Sequence, residues 1–253
     1  MNDLQLYFGD DYPITEYITL KHPKVDDIIR MGEEEYFAMI NLFAITPSDM
    51  KPFLYDNFNI IWEDISDYEC FLRFLWPQIT SKQSHILFGD LDLSKFERGY
   101  NCLTEEPVLL YDFKEESQIT RIVFDRLTYI KVSDAIRKIH GMKKNVETAG
   151  SKTVQKILID YDRAQQQKEA AKKDKKGYSS FLLPLISSLV NCSDFKYGLN
   201  EIRQMPVYAF MDSVSRVQVV RNTTALLQGC YSGMIDTKKI NKDELNFMRL
   251  IKK

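Results

Sequence analysis

Three histidines, four cysteines and one short acidic pair are the side chains whose types could support chemistry in this chain. His22, His85 and His140 fall on three separate segments, with no His-x-x-x-His or His-Cys spacing, so no local metal knuckle can be read from them. Cys70, Cys102, Cys192 and Cys230 are equally scattered and read as free thiols of a reducing compartment. Asp90 and Asp92 alternate around Leu91. A strand there would present both carboxylates on one face, as acid-base or metal chemistry wants, but a solvated strand face or turn explains the pair as well. No Gly-x-Ser-x-Gly elbow occurs, and no Gly-rich loop ends in Lys-Ser or Lys-Thr. The expectation is a protein that is not an enzyme, with no catalytic residue, cofactor or metal.

Two further groups bear on binding. The lysine-rich run from Lys168 to Lys176 offers phosphate contacts, but Glu169 and Asp174 interrupt it and no aromatic follows until Tyr178. A solvated segment is the stronger reading, and no specific nucleic-acid partner is expected. Tyr197, Tyr208 and Phe210 stand near two helix starts. They are the candidate anchors for a protein partner, because aromatics carry interface energy efficiently. They are equally suited to an ordinary core.

The elements that must position these residues are mostly helical. Leu182, Leu185, Ile186, Leu189 and Val190 recur at helical spacing, as do Val207, Phe210, Val214, Val217, Val220, Thr224 and Leu227. Together they predict a helix, a turn over Asn191 to Gly198, a short helix over Leu199 to Gln204, and a long helix from Pro206 to Gly229. Upstream, Leu4 to Phe8 and Ile14 to Leu20 read as short extended segments. A helix follows Pro23 with Gly32 on its packed stripe and Glu33, Glu34 and Glu35 on its solvated side. Thr46-Pro47 and Ser66 open two more helices, the second with Glu69 completing a capping box.

Between residues 81 and 132 the runs Ile86 to Phe88, Val108 to Tyr111, Ile119 to Phe124 and Leu127 to Val132 favour strands. Ser133 then starts a short helix ended by Gly141. A further helix, begun by Ser151 or Thr153, carries Val154, Ile157, Leu158 and Tyr161 on one face. The fold class expected is α+β, mainly α-helical: a helical N-terminal part over 1–80, a small antiparallel β insert over 81–132, and a helical C-terminal part over 133–253. A flexible, polar segment is expected near 162–180.

Composition bounds the class. The 253 residues carry a net charge of −2, which excludes a global basic field for nucleic acid. The longest apolar run, Phe181 to Val190, holds Pro184 and two serines and is half of the roughly 20 residues a membrane span needs. The start, with Asp3, Asp10 and Asp11, lacks the pattern of a secretory signal, so a soluble intracellular protein is expected.

The runs FLLPLISSLVNCSDFKYGLNEIRQMPVYAFMDSVSRVQ and LLQGCYSGMIDTKKI, together with the opening ITLKHPKVDDIIRMGEEEYF, resemble proteins of the tail modules of long-tailed phages that infect Gram-positive hosts. The group includes tail assembly chaperones and virion proteins, and the β insert is the part least matched. The resemblance implies a non-enzymatic tail assembly chaperone that coats the tape measure protein and presents it to tail tube protein in the host cytoplasm, as a homo-oligomer. The alternative it implies is a structural protein of the tail or baseplate, located in the virion tail.

Overall fold

The computed structural model describes residues 2–251 except 103, 115–118, 237 and 239, with the backbone alone for 114, 119 and 173–176. The chain opens on a helix, α1 (Asp3–Phe8), where an extended segment was expected. Asn2 caps it, and Gln5 reaches back to the Asn2 amide. Gly9 ends it in the left-handed region, at a point where a Cβ would lie 2.5 Å from Pro206 Cγ. The hairpin β1 (Tyr12–Pro13) and β2 (Thr19–Leu20) follows, much shorter than the run expected from Ile14 to Leu20.

Two helices then replace the single one read from the sequence: α2 (Val25–Met31) and α3 (Glu33–Ala44). Gly32 at φ +92° breaks them apart, and open space surrounds its Cβ position, so it is a hinge of direction rather than a packing contact. Pro47 starts a 3-10 turn capped through Thr46 and Asp49, and α4 (Lys51–Phe58) follows it. Ser66 caps α5 (Asp67–Cys70), but Glu69 pairs with Arg73 instead of closing a capping box. From Phe71 to Leu75 the chain widens into a π-helical turn before the 3-10 turn at Trp76–Gln78.

The β insert is narrower than the sequence suggested. Residues 86–88 belong to α6 (Ser81–Phe88), closed at its start by a reciprocal Thr80–Gln83 box. Three antiparallel strands follow in the order β3 (Glu97–Tyr100), β4 (Pro107–Lys114) and β5 (Ile119–Phe124). The register pairs Leu109 with Phe124 and Tyr111 with Ile122, which puts one face of the sheet on the core. The other face carries a two-bonded Arg121–Asp112 ion pair.

Residues 127–132, expected as a strand, are the start of α7 (Arg126–His140). Their β-branched residues suit a strand, yet Thr128, Val132, Ile136 and Ile139 also repeat at helical spacing, and Asp125 caps the first turn through the Thr128 amide at 2.8 Å. Ser133 is therefore not a cap. It is buried, and donates to the carbonyl of Phe43 at 2.6 Å, while Arg137 Nε donates to that of Ala44 at 2.8 Å. Two side chains of α7 thus satisfy carbonyls that the last turn of α3 leaves without helical partners.

Helix α8 (Lys152–Lys176) runs unbroken through the polar stretch, with Lys168 and Lys172 exposed. Its buried side is Ile159 with Leu158 beside it; Ile157 and Tyr161 face outward at 59 % exposure each, so the stripe expected to pack does not. The C-terminal elements are α9 (Leu182–Val190), α10 (Leu199–Gln204) and α11 (Val207–Tyr231). The first turn of α11 is buried; beyond it Val214 and Val217 pack from half-buried positions, and Thr223, not Thr224, is the buried threonine. The helix passes through Gly229, whose Cβ position is filled by Ile235, and the final segment is a 3-10 turn at Lys242–Leu245. Lys24 bridges to Pro206, with Val25 N on Met205 O at 3.0 Å and Val207 N on Pro23 O at 2.9 Å, so both ends of the chain share one core.

Glu33 corrects another expectation. It is not a solvated residue of α3 but a cap for α9: it accepts from the Phe181 amide at 2.8 Å, the Leu182 amide at 3.2 Å, Ser180 Oγ at 2.6 Å and the Tyr178 hydroxyl. Burial works against its charge, but these donors prevail and hold the carboxyl below its ordinary value. Glu33→Ala is expected to cost about 1–2 kcal/mol, the range of a lost helix cap, whereas Glu34→Ala on the exposed side stays within about 0.5 kcal/mol. Urea denaturation of the two variants checks this; equal losses would refute the capping role.

Candidate functional site

The residues singled out as partner anchors separate in the fold. Phe210 is 1 % exposed and Tyr208 9 % exposed, both in the core under α11. Burial pushes the Tyr208 phenol up, aided by Asp3 and Asp212. Tyr197, 53 % exposed, stands at the rim of a groove of about 420 Å³ between α1, the Asn191–Gly198 turn and α11. The floor is apolar, from Tyr7, Phe195, Val217 and Val220, and Asp194, Lys196, Asp212 and Arg216 give it a charged margin. Phe195 meets Tyr197 edge-on at 5.4 Å, which fixes the ring. Arg216 is held by the carbonyls of Phe247 and Arg249 at 2.8 and 2.9 Å, so the segment after α11 folds back against it. Tyr231 and Met234 are exposed at the end of α11, and Met248 and Leu250 in the segment that folds back on Arg216.

No family model, curated protein or solved structure matches this chain. Any functional reading therefore stands on the side chains themselves.

The candidate chemistry is distributed as follows. His85 Nδ1 lies 2.9 Å from the carbonyl of Gly89. His140 lies with Nδ1 2.7 Å from Ile136 O and Nε2 2.8 Å from the Tyr36 hydroxyl. Only the tautomer with the proton on Nδ1 satisfies both, so His140 is a neutral acceptor for Tyr36. His22 is buried, and neither ring nitrogen has a hydrogen-bond partner. Among the described residues no three His, Cys, Asp or Glu side chains gather as a metal site requires. Asp92 does not pair with Asp90 on a strand. It caps the Leu93–Lys95 turn through the Ser94 amide and accepts from Ser81 at 2.5 Å; burial opposes its charge, and these bonds with Lys95 hold its carboxyl low. Cys70 is buried, which pushes its thiol up to about 12 and makes it a poor nucleophile. No described helix is long and apolar enough to cross a membrane.

A second concave region was not visible in the sequence. Where the π-helical turn faces β3 and β4, a cleft of about 440 Å³ opens, lined by Leu72, Arg73, Arg98, Tyr100 and Val108. Arg98 donates to the carbonyl of Leu72 at 2.9 Å and lies over the Trp76 ring. A polar cavity of about 380 Å³ adjoins it and shares Ser66, Tyr68 and Arg126 with it. Its residues come from α5, α7 and the loop after α7, a juxtaposition that no local spacing announces.

Proposed function

We propose that this protein is a non-enzymatic assembly factor that binds an apolar helical partner, a tail assembly chaperone for the tape measure protein. In this reading it acts in the host cytoplasm as a homo-oligomer and hands its partner to tail tube protein. The resemblance of the C-terminal helices to tail-module proteins supplies the biological setting. The observation that carries the binding role is the apolar-floored groove beside Tyr197, with Met248 and Leu250 exposed in the segment that the groove residue Arg216 ties down. Such a run of exposed apolar side chains is a mark of a protein-binding surface, and methionine adapts to varied partners. Groove and charged margin suit an amphipathic helix laid along α11. Each contact can be weak when many copies line one long partner.

The test is co-expression with the tape measure protein of the same genome. The expected result is a higher soluble yield of tape measure, with co-purification of several copies per partner that persists at high salt, because apolar contact is not screened. Tyr197→Asp is expected to abolish co-purification while leaving the fold intact. An insoluble tape measure, together with stoichiometric presence of this protein in mature virions, would replace the chaperone by a structural tail or baseplate protein.

A further inference from the structure

The polar cavity beside the π-helical turn holds two buried donors with nothing to donate to. Tyr129 is 1 % exposed and Arg137 5 % exposed, and neither Tyr129 Oη nor Arg137 Nη2 has a hydrogen-bond partner. The rest of Arg137 is committed: Nε to Ala44 O at 2.8 Å, Nη1 to Asp134 at 3.2 Å. Ser133, one turn along the helix from Tyr129, gives its own proton to Phe43 O; its hydroxyl stands near the Tyr129 phenol and favours the charged form, but not within hydrogen-bond distance of it. A buried charged donor without an acceptor is costly, and native proteins rarely leave one unless a ligand or water completes it.

The charge of the lining selects the ligand. Lys144 pairs with Asp67 at 2.5 Å and Arg137 with Asp134, so both carboxylates are neutralised. Arg126 completes the wall with no acidic partner in it, leaving one positive charge in excess. Two free donors and a net positive wall fit an oxygen acceptor that carries negative charge. Both donors are closed off from water-sized space, so an anion in the cavity reaches them only after side chains at its mouth move, and Arg126 and Lys144 are the exposed basic side chains there. The cavity's volume admits a group of several heavy atoms once they swing aside.

We propose that this cavity is a binding site for a small oxyanion, a phosphate or carboxylate group held by Tyr129 Oη and Arg137 Nη2 and closed over by Arg126. The site is separate from the Tyr197 groove and does not depend on the tail-assembly reading.

Isothermal titration of the full chain with inorganic phosphate, and in parallel with acetate, each at constant ionic strength set by chloride, tests it. The expected result is saturable one-to-one binding of at least one of the two, and the arm that binds identifies the group. Arg137 also supports α3, so the variants avoid it. Tyr129→Phe removes only the unpaired hydroxyl; it should leave the unliganded Tm unchanged or higher and weaken binding about fivefold or more. Arg126→Ala, at an exposed position that no packing depends on, should weaken it similarly. Arg30→Ala, remote and exposed, should not change it. Absence of saturable binding for both anions, or equal affinity in wild type, Tyr129→Phe and Arg126→Ala, would overturn the assignment. A structure of phosphate-soaked crystals with water alone on Tyr129 Oη and Arg137 Nη2 would do the same.

Discussion

Replacing Lys51 by methionine should destabilise the protein by about 2–4 kcal/mol. Lys51 is the first residue of α4, and its side chain is only 2 % exposed. Its ammonium has three donors and finds three acceptors: Ser48 O at 2.6 Å, Glu147 at 2.6 Å and Asp162 at 2.9 Å. The Trp62 ring lies 5.5 Å below it, and Trp62 Nε1 donates to the carbonyl of Glu147 at 2.7 Å. Burial disfavours the charge, but the contacts with Glu147 and Asp162 outweigh it and hold the ammonium above its ordinary value.

Methionine keeps the volume and removes the charge, leaving two carboxylates facing one another without a cation. Their own side chains are 39 % and 28 % exposed, so they can turn partly to water, which is why the expected loss sits below the full cost of breaking a deeply buried pair. Adding Glu147→Gln and Asp162→Asn to Lys51→Met should recover at least half of the loss. Urea unfolding followed by tryptophan fluorescence reads this directly, since Trp62 reports on the same cluster. A loss under about 0.5 kcal/mol in the single variant would mean that the Arg163–Asp56 ion pair and the packing of Leu54 against Ile159 hold α8 to α4 without it.

Lys51 also marks the limit of what the sequence discloses. The helix–turn–helix over 182–231 was legible because Pro206 and a regular apolar repeat are local signals, and α9, α10 and the turn between them lie where spacing placed them. The strands over 107–124 were legible from β-branched composition, but the same composition misled at 127–132, where the Asp125 cap decided for a helix. Thr80 with Gln83, and Asn2 with Gln5, are capping pairs present in the sequence that could have revealed α6 and α1. By contrast, Lys51 meets residues 96 and 111 positions later, Glu33 caps a helix that begins 149 residues on, and Tyr129 and Arg137 line a cavity closed by α5. Such partners are set by tertiary packing and leave no trace in spacing. The outward turn of Ile157 and Tyr161 has the same origin: Asp162 is tied to Lys51, and that fixes which side of α8 faces the core.

Acid should unfold this protein through two histidines before it does so through carboxylates. Burial pushes His22 down to about 4, although Asp11 and Asp10 favour its charge. Burial likewise takes His140 down to about 4; its bond to Ile136 O opposes this and neighbouring His22 adds to it. Both folded-state values lie below the unfolded value of 6.5. Between the two values the unfolded chain therefore holds more protons than the folded one, and stability rises with pH. It is fully present above about 6.5, falls as pH drops towards 4, and changes no further through these groups below that.

For His22, which is 8 % exposed, the loss across the window is on the order of 3 kcal/mol, and His140, lowered to the same value, adds to it. The depressed carboxyls of Glu33 and Asp92 lose their contribution only as pH falls through and below the ordinary carboxylate range, so the upper part of the window belongs to the histidines. His22→Leu separates the two. Because neither ring nitrogen of His22 has a partner, leucine removes no hydrogen bond and should leave stability at pH 7 within about 1 kcal/mol of wild type or above it. It should also remove about half of the loss between pH 6.5 and 5, measured as urea midpoints at constant ionic strength, the rest belonging to His140. A wild-type midpoint that is flat over that interval, or an unchanged slope in His22→Leu, would show that His22 reaches solvent and takes up its proton in the folded state.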